Sequence, residues 1–507
     1  MINKKKLRIL LCTPNLKGIK DGLNRIQPSL GLMLIAQKLL NEGHIVKIHD
    51  FALEGWNNRV DLDKKNKLIL IGQSDNEIAN VVKEFNPDMV GISVLFSNLM
   101  DSAQNIAKII KKINKSILVF VGGNCISNAI TDYKFGQADK DSNIPDYIPY
   151  LENSYFDCAI VGEGEDAVVK FVNNYLYKND ISTSPGLVKR INEKKYIINE
   201  PLKVHFMDSL PRPPRHLVNM EKYFDIGAFH SAKSRSNRVL NVMCSRGCPE
   251  KCTFCTTPAM WGSNIRWRSI EHIMDEIIND CKTYNIGEIQ FDDDTLTLNK
   301  KMLFALCKEL EKLGIQWCTP NGTKVNYHLR EQLDMYKAMK NSGCYQITLA
   351  CESGVQRVLD DIVKKNLKLE HIKPSIENAK KAGLLVHTFW ILGYPGETYE
   401  EMQETINFAM SSGADSFSFS VLTPLPGTPI YRQVLKENLW WDGKENQNTF
   451  RSSLIKVDGF NCANDFEKYV NEANIKANKI LEKKDPERFK LKYRDKLSQE
   501  SSFVRQT

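Results

Sequence analysis

Short apolar runs recur along the chain and alternate with stretches whose apolar positions return every three or four residues. In the first third, Leu7–Cys12 is such a run and stops at Thr13-Pro14-Asn15. A helical pattern follows Pro28-Ser29-Leu30-Gly31 and ends at Asn41-Glu42-Gly43. Ile45–Asp50, Met89–Val94, Ile117–Val121 and Cys158–Val161 read as further buried strands, with helical spacing at Glu77–Phe85 and Met100–Ile113 between them. Strands that alternate with helices predict a doubly wound, Rossmann-like α/β domain with a parallel sheet over residues 1–185. Such sheets bind ligands at the carboxyl ends of their strands. The loops Thr13–Ser29, Ser93–Asn98, Gly122–Ser127 and Gly162–Glu165 fall on that edge. Gly122-Gly123 permits close backbone approach, although a glycine pair alone is equally an ordinary turn.

A second series begins at residue 234. Strands are expected at Val239–Val242, Glu288–Phe291, Gln316–Cys318, Tyr345–Ala350, Val386–Leu392 and Ser416–Val421. Helical patterns near Ser269–Tyr284, Lys300–Leu313, Arg330–Asn341, Leu369–Ala382 and Tyr399–Ser412 separate them. The proline-dense Leu210-Pro-Arg-Pro-Pro-Arg215 suggests an extended connector, so residues 186–233 are assigned to a linker and 234–460 to the second domain. The tail, 461–507, has helical spacing and basic clusters at Lys483-Lys484 and Lys490–Lys496, and is expected to be a docked helix.

Composition narrows the class. Hydrophobic residues make up 42% and charged residues 26%, which suits a globular protein and argues against wholesale disorder. No stretch of about 18 apolar residues is present, so no transmembrane segment is expected. The basic amino terminus, with its short apolar run, is expected to enter a first strand and not a signal sequence, and a cytoplasmic location is expected. Net charge is +8, from 69 basic and 61 acidic residues, a mild bias that fits an anionic substrate or cofactor tail without indicating a nucleic-acid partner. Thirteen cysteines in so long a chain read as thiols, not as a disulfide scaffold.

Three of those thiols carry the chemistry. Cys248, Cys252 and Cys255 form a Cys-x3-Cys-x2-Cys triplet with Phe254 before its last member. Three thiolates on one short loop can hold three irons of a [4Fe–4S] cluster and leave the fourth open to another ligand. The alternative is a zinc knuckle, for which Cys244 supplies a fourth thiol on paper.

The triplet in this setting resembles the radical S-adenosylmethionine (SAM) superfamily, whose triplet follows the first strand of a partial (β/α)6 barrel. The six strand–helix steps match that barrel. The resemblance implies that the amino and carboxylate groups of SAM chelate the open iron, and that electron transfer splits the sulfonium to give a 5′-deoxyadenosyl radical. It also implies roles along the strand ends. Asp292 and Asp293, in Phe291-Asp-Asp-Asp-Thr295, stand where relatives hold the SAM amino group. Glu352 stands where a carboxylate meets the ribose hydroxyls, and Gly393 in the glycine motif near adenine. Lys324 follows the third strand, where relatives often carry arginine, and can pair with a carboxylate.

The first domain resembles the cobalamin-binding domain fused to many radical SAM enzymes, through Pro28-Ser-Leu-Gly31, Val90-Gly-Ile-Ser93, Val121-Gly-Gly123 and Val161-Gly-Glu-Gly-Glu165. Ser93, Gly122, Gly123, Gly162 and Glu163 are its candidate cofactor contacts. The loop Thr13–Ser29 lacks the histidine that ligates cobalt in other cobalamin domains, and His44 and His49 are expected on the wrong side of the following helix. Cobalamin without a protein histidine on cobalt is therefore expected. The resemblance implies a methyltransferase that acts on an unactivated carbon through methylcobalamin and the deoxyadenosyl radical. A cofactor-sharing cyclase or rearrangement enzyme, a methylthiotransferase and a zinc-bearing binding protein stand as alternatives. An external flavodoxin- or ferredoxin-type electron donor is implied, with a small-molecule, lipid or peptide substrate.

Overall fold

The computed structural model describes residues 6–491, apart from 21, 64–66, 140–145, 147, 153, 194, 232 and 444–451. The chain divides into two compact units, the first Met1–Ile226 with the short segment Ala259–Trp261, the second Gly227–Pro258 and the described chain from Gly262 onward.

In the first unit, strands β1 (Arg8–Thr13), β2 (Ile45–Asp50), β3 (Met89–Ser93), β4 (Leu118–Gly122) and β5 (Cys158–Ile160) are joined by β6 (Leu187–Asn192) and β7 (Lys195–Ile198) in the order β2-β1-β3-β4-β5-β6-β7. Strands β1 to β5 run parallel, and the order reverses between β1 and β3, which makes that gap the topological switch point. Alternation along β1 shows why both faces need helices. Ile9 and Leu11 enter one core with Leu32 and Phe171, whereas Leu10 and Cys12 enter the opposite core with Ile106 and Ile110.

Two features depart from expectation. The segment 186–233 is not extended chain throughout. Its first part is the β6–β7 hairpin, which pairs antiparallel onto β5 because Leu187 and Val188 are fully buried there. A helix at Met220–Ile226 also docks on this unit, where Tyr223 Oη donates to Asp50 Oδ2 at 2.7 Å and Lys222 Nζ meets Glu54 Oε2 at 2.8 Å. The segment Thr13–Ser29, expected as a loop after β1, contains Leu16–Ile19, which joins Leu68–Ile71 and Arg59–Asp63 in a separate antiparallel ribbon.

In the second unit, β8 (Val239–Val242), β9 (Glu288–Phe291), β10 (Gln316–Cys318), β11 (Cys344–Glu352), β12 (Leu385–Leu392) and β13 (Ser416–Val421) pair in parallel in simple sequential order, the arrangement of a partial barrel. Helices at Ile270–Tyr284, Lys300–Leu313, Gln332–Asn341, Ile372–Lys381 and Tyr399–Ser411 connect them. Side-chain caps at Ser269, Asn299 and Thr398 set where three of these begin. The amino ends of the strands are sealed by polar contacts. Glu288 accepts from Tyr345 Oη at 2.9 Å, and Arg488 of the tail donates to Gln346. The tail forms a helix, Ala463–Lys484, whose Phe466, Val470, Ala473, Ala477 and Leu481 are buried. Of the basic cluster 490–496, residues 492–496 lie outside the described residues. Among the described residues no helix is long and apolar enough to cross a membrane.

Candidate functional site

The cysteine loop leaves the carboxyl end of β8. Ser245–Arg246 pairs antiparallel with Arg266–Trp267 and closes the loop at its base. Gly247 then turns with φ +106°, and a Cβ there would stand 2.6 Å from the Asn264 carbonyl oxygen, so the turn demands glycine. Cys248, Cys252 and Cys255 follow, each electrostatically coupled to the others and none in a disulfide. Burial pushes the Cys248 thiol up to about 12 and Cys252 to about 11, and raises Cys255 as well. Without a metal these sulfurs stay protonated; a coordinated iron would deprotonate them. Cys244, the fourth thiol a zinc knuckle needs, is engaged elsewhere, since its side chain bonds to Asp293.

Three carboxylates after β9 have distinct surroundings. Asp292 pairs with His230 Nδ1 at 3.0 Å. Asp293 accepts the Cys244 amide at 2.9 Å and the Ser245 hydroxyl at 2.5 Å, and burial pushes it up to about 7. Asp294, not singled out from the sequence, accepts from Thr257 Oγ1 at 3.1 Å and couples electrostatically to Cys248 and Cys255. Burial pushes Asp294 up to about 6. Thus Asp293 holds the root of the cysteine loop, and Asp294 is the carboxylate that couples to two of its sulfurs.

Glu352 ends β11. A register shift between Ala350 and Glu352 re-aims it, and its φ is +66°. Its carboxylate meets Lys365 Nζ at 2.7 Å, both side chains being buried. Nothing in the sequence marked Lys365. Gly393 directly follows β12 with φ +86°, and its N–H donates to Glu397 Oε2 at 2.8 Å. A Cβ there would meet the Phe466 ring at 2.6 Å, so packing against the tail requires this glycine. Glu397 also accepts the Tyr394 amide, and burial pushes it up to about 8. Lys324 Nζ pairs with Glu250 Oε2 of the cysteine loop at 2.6 Å, and Tyr327 Oη donates to the other oxygen at 2.9 Å. Trp317 and Trp390 are fully buried and pack as core.

The strand ends also carry buried polar atoms with no hydrogen-bond partner among the described residues: Thr295 Oγ1, Tyr394 Oη and Thr423 Oγ1. Tyr394 lies within electrostatic reach of Cys252 and Glu352. A ligand rich in hydrogen-bonding groups, as SAM is, fits such a rim.

In the first unit, Ser93 pairs with Gly122 at the carboxyl edge of the sheet. Gly123 has φ +96° and would place a Cβ 2.6 Å from the Val94 carbonyl oxygen. Ser127 Oγ donates to the Gly123 carbonyl and accepts the Gly162 N–H, each at 3.0 Å, which joins two of the expected loops. Glu163 is buried and accepts the Val204 amide at 3.1 Å, so it clamps the chain that follows the hairpin. Buried Asn98 Oδ1 and Asn128 Oδ1 have no hydrogen-bond partner among the described residues, and Leu95 is 54% exposed. Buried amide oxygens left open and an exposed apolar side chain in the segments that follow β3 and β4 suit a large amphipathic cofactor. His44 accepts the Leu7 amide at the amino end of the sheet. His49, by contrast, lies near the carboxyl end of β2, opposite Cys12, and its Nε2 is bonded to Gln73 at 2.8 Å.

Comparison with known proteins bears on both units. Residues 242–409 match the radical SAM superfamily model, and residues 23–140 match the B12 binding domain model. The chain is 32% identical over 481 residues to cytidylyl-2-hydroxyethylphosphonate methyltransferase of Streptomyces wedmorensis, covering 89% of this chain and 86% of that one. It is 30% identical over 462 residues to an uncharacterized methyltransferase of Pyrococcus horikoshii, covering 90% and 89% respectively. Among solved structures, the cobalamin-dependent SAM radical enzyme OxsB superposes with a TM-score of 0.66 at 16% identity, over 99% of this chain and 76% of that one. The SAM methyltransferase TsrM of Kitasatospora setae gives 0.61 at 15%, over 84% and 74%. These two likenesses show the fold.

Proposed function

The chain belongs to the cobalamin-binding radical SAM enzymes, and from that premise we propose that it transfers a methyl group to an unactivated carbon. The observation that carries the proposal is the joining, in one chain, of a three-cysteine loop to a doubly wound domain whose carboxyl edge keeps unpaired polar atoms. When bound, the [4Fe–4S] cluster and SAM supply a carbon radical, and cobalamin supplies the methyl group. Cys248, Cys252 and Cys255 are the cluster's ligands in this reading. Asp294 is assigned to the SAM amino group because it couples to two of the three sulfurs, and Glu352 to the ribose hydroxyls. The buried β12 end, Gly393-Tyr394, lines the nucleoside side and excludes water. Ser93, Gly122, Gly123 and Gly162 border the cobalamin edge. No histidine is assigned to cobalt: the loop after β1 has none, and His49 is held by Gln73. The cluster draws its electron from an external flavodoxin- or ferredoxin-type donor.

The test is anaerobic reconstitution with iron, sulfide and hydroxocobalamin, followed by turnover with methyl-labelled SAM and candidate substrates. Roughly four irons per chain, bound cobalamin, 5′-deoxyadenosine and a labelled product are expected. A rearranged but unlabelled product would turn the assignment to a cyclase or mutase. Zinc without iron would remove it altogether.

A further inference from the structure

Lys365 has no role in the reading above, yet the fold goes to some length to place it. Its ammonium is buried and donates to Glu352 Oε1 at 2.7 Å. The residues on both sides of it, Lys364 (φ +55°) and Asn366 (φ +52°), take the left-handed conformation, as does Glu352 (φ +66°). Such backbone is uncommon for residues other than glycine and persists where the surrounding structure imposes it. Here the imposing contacts come from the cysteine loop. Thr253, between Cys252 and Cys255, donates its N–H to the Val363 carbonyl at 3.0 Å and its hydroxyl to the Ile362 carbonyl at 2.6 Å. The Thr253 carbonyl in turn accepts the Ile430 amide at 3.1 Å. A π-type turn, Val358–Val363, leads into the kink, and the Lys365 N–H closes it on the Leu359 carbonyl at 3.2 Å. The Lys365 charge also acts on Cys252, where it is the largest electrostatic influence favouring the thiolate, and Glu352 opposes it.

We propose that Lys365 is a positioning residue that couples the SAM ribose site to the cluster: its buried ammonium fixes the Glu352 carboxylate and sets a positive charge beside Cys252. The inference rests on the cluster assignment made above. One-electron reduction adds a negative charge to a cluster. A cation nearby therefore stabilises the reduced form and raises the midpoint potential, whereas a carboxylate lowers it. The pair thus sets the potential by the difference of two opposed charges, and any ligand that shifts Glu352 relative to Lys365 alters it.

The experiment is an EPR-monitored redox titration of the anaerobically reconstituted full chain, without SAM, as parent, Lys365→Met, Glu352→Gln, Lys365→Arg and the Lys365→Met/Glu352→Gln double variant. Lys365→Met is expected to make the potential more negative and Glu352→Gln less negative. Lys365→Arg and the double variant should stay near the parent. A purely structural role would not give shifts of opposite sign. If Lys365→Met assembles no cluster, Glu352→Gln and Lys365→Arg still decide. An unshifted Lys365→Met or Glu352→Gln, or shifts of one sign throughout, overturns the proposal. A parent chain that forms no [4Fe–4S] signal fails at the earlier step and sinks the cluster assignment itself.

Discussion

Asp293 grips the peptide N–H of Cys244 with both carboxylate oxygens, at 3.1 and 2.9 Å, and so ties the end of β9 to the root of the cysteine loop. The Ser245 hydroxyl completes the grip. Replacement by alanine leaves a buried N–H and a buried hydroxyl without acceptors, a cost of about 1–3 kcal/mol on the ordered loop. Asp293→Ala is therefore expected to retain less iron after desalting than the parent, while Asp292→Asn, whose side chain meets His230 instead, retains the parent amount. Iron and sulfide analysis of the parent and the two variants, prepared side by side, is the check. Equal retention in all three would show that the grip is dispensable.

The Lys324–Glu250 pair is a second brace on the same loop. Lys324→Met removes the cation and leaves Glu250 partly buried with only the Tyr327 hydroxyl. Breaking a fully buried pair costs about 3–5 kcal/mol, and the residual exposure of Glu250 puts this one below that range. A looser loop admits oxidant. The expected outcome is a several-fold faster loss of the cluster's visible absorbance in air, with Lys324→Arg close to the parent. Identical decay curves for Lys324→Met and the parent would contradict this bracing role.

Glu397 makes a pH dependence. Burial raises it from about 4.5 in the unfolded chain to about 8 in the folded one. The folded state therefore binds the proton more tightly, and the resulting stability is fully present below pH 4.5 and lost as pH rises through 8. The slope is at most about 1.4 kcal/mol per pH unit within that window. Thermal unfolding of the parent is expected to fall between pH 5.5 and 8, and that of Glu397→Gln to fall less. Parallel pH profiles for the two proteins would rule out Glu397 as the source.

Much of this architecture was legible in the chain because its signals are local. β13 lies at Ser416–Val421, where the apolar pattern placed it, and β12 begins one residue earlier than expected, at Leu385. β13, at the end of the sheet, shows itself as the alternation Ser-Phe-Ser-Phe-Ser-Val, with both phenylalanines buried, whereas β8, buried throughout, reads as a short run, Val-Leu-Asn-Val. The three cysteines are equally local. What did not show depends on distant partners. Leu187–Ile198 has strand-like residues, but the proline density downstream drew it into a linker, and only pairing with β5 makes it sheet. Lys365 sits among other lysines, Lys364 and Lys368, and only the kink imposed by Thr253 separates it from them. Asp292, Asp293 and Asp294 are indistinguishable as a run of carboxylates; the positions of His230, Cys244 and Thr257 give each a different task.

The last prediction concerns the open side of the barrel. Among the described residues β13 ends the sheet, and no further strand pairs with its outer peptide groups. At Phe419 the tail helix supplies the partner. The Phe419 N–H donates to Asn474 Oδ1 at 3.0 Å, and Asn474 Nδ2 donates to the Phe419 carbonyl at 2.8 Å. One carboxamide thus imitates a neighbouring strand at a buried position, where an unpaired peptide group costs about 1–3 kcal/mol. Asn474→Leu keeps the bulk and removes both bonds, so it should lower the melting temperature of the reconstituted chain clearly. The adjacent Ile475→Ala, at a position 43% exposed, should stay within about 0.5 kcal/mol of the parent. The same loss should loosen the helix whose Phe466 backs Gly393, and Asn474→Leu is therefore expected to raise the Kd for SAM as well. A normal melting temperature in Asn474→Leu would mean that the apolar face of the helix alone closes the barrel edge.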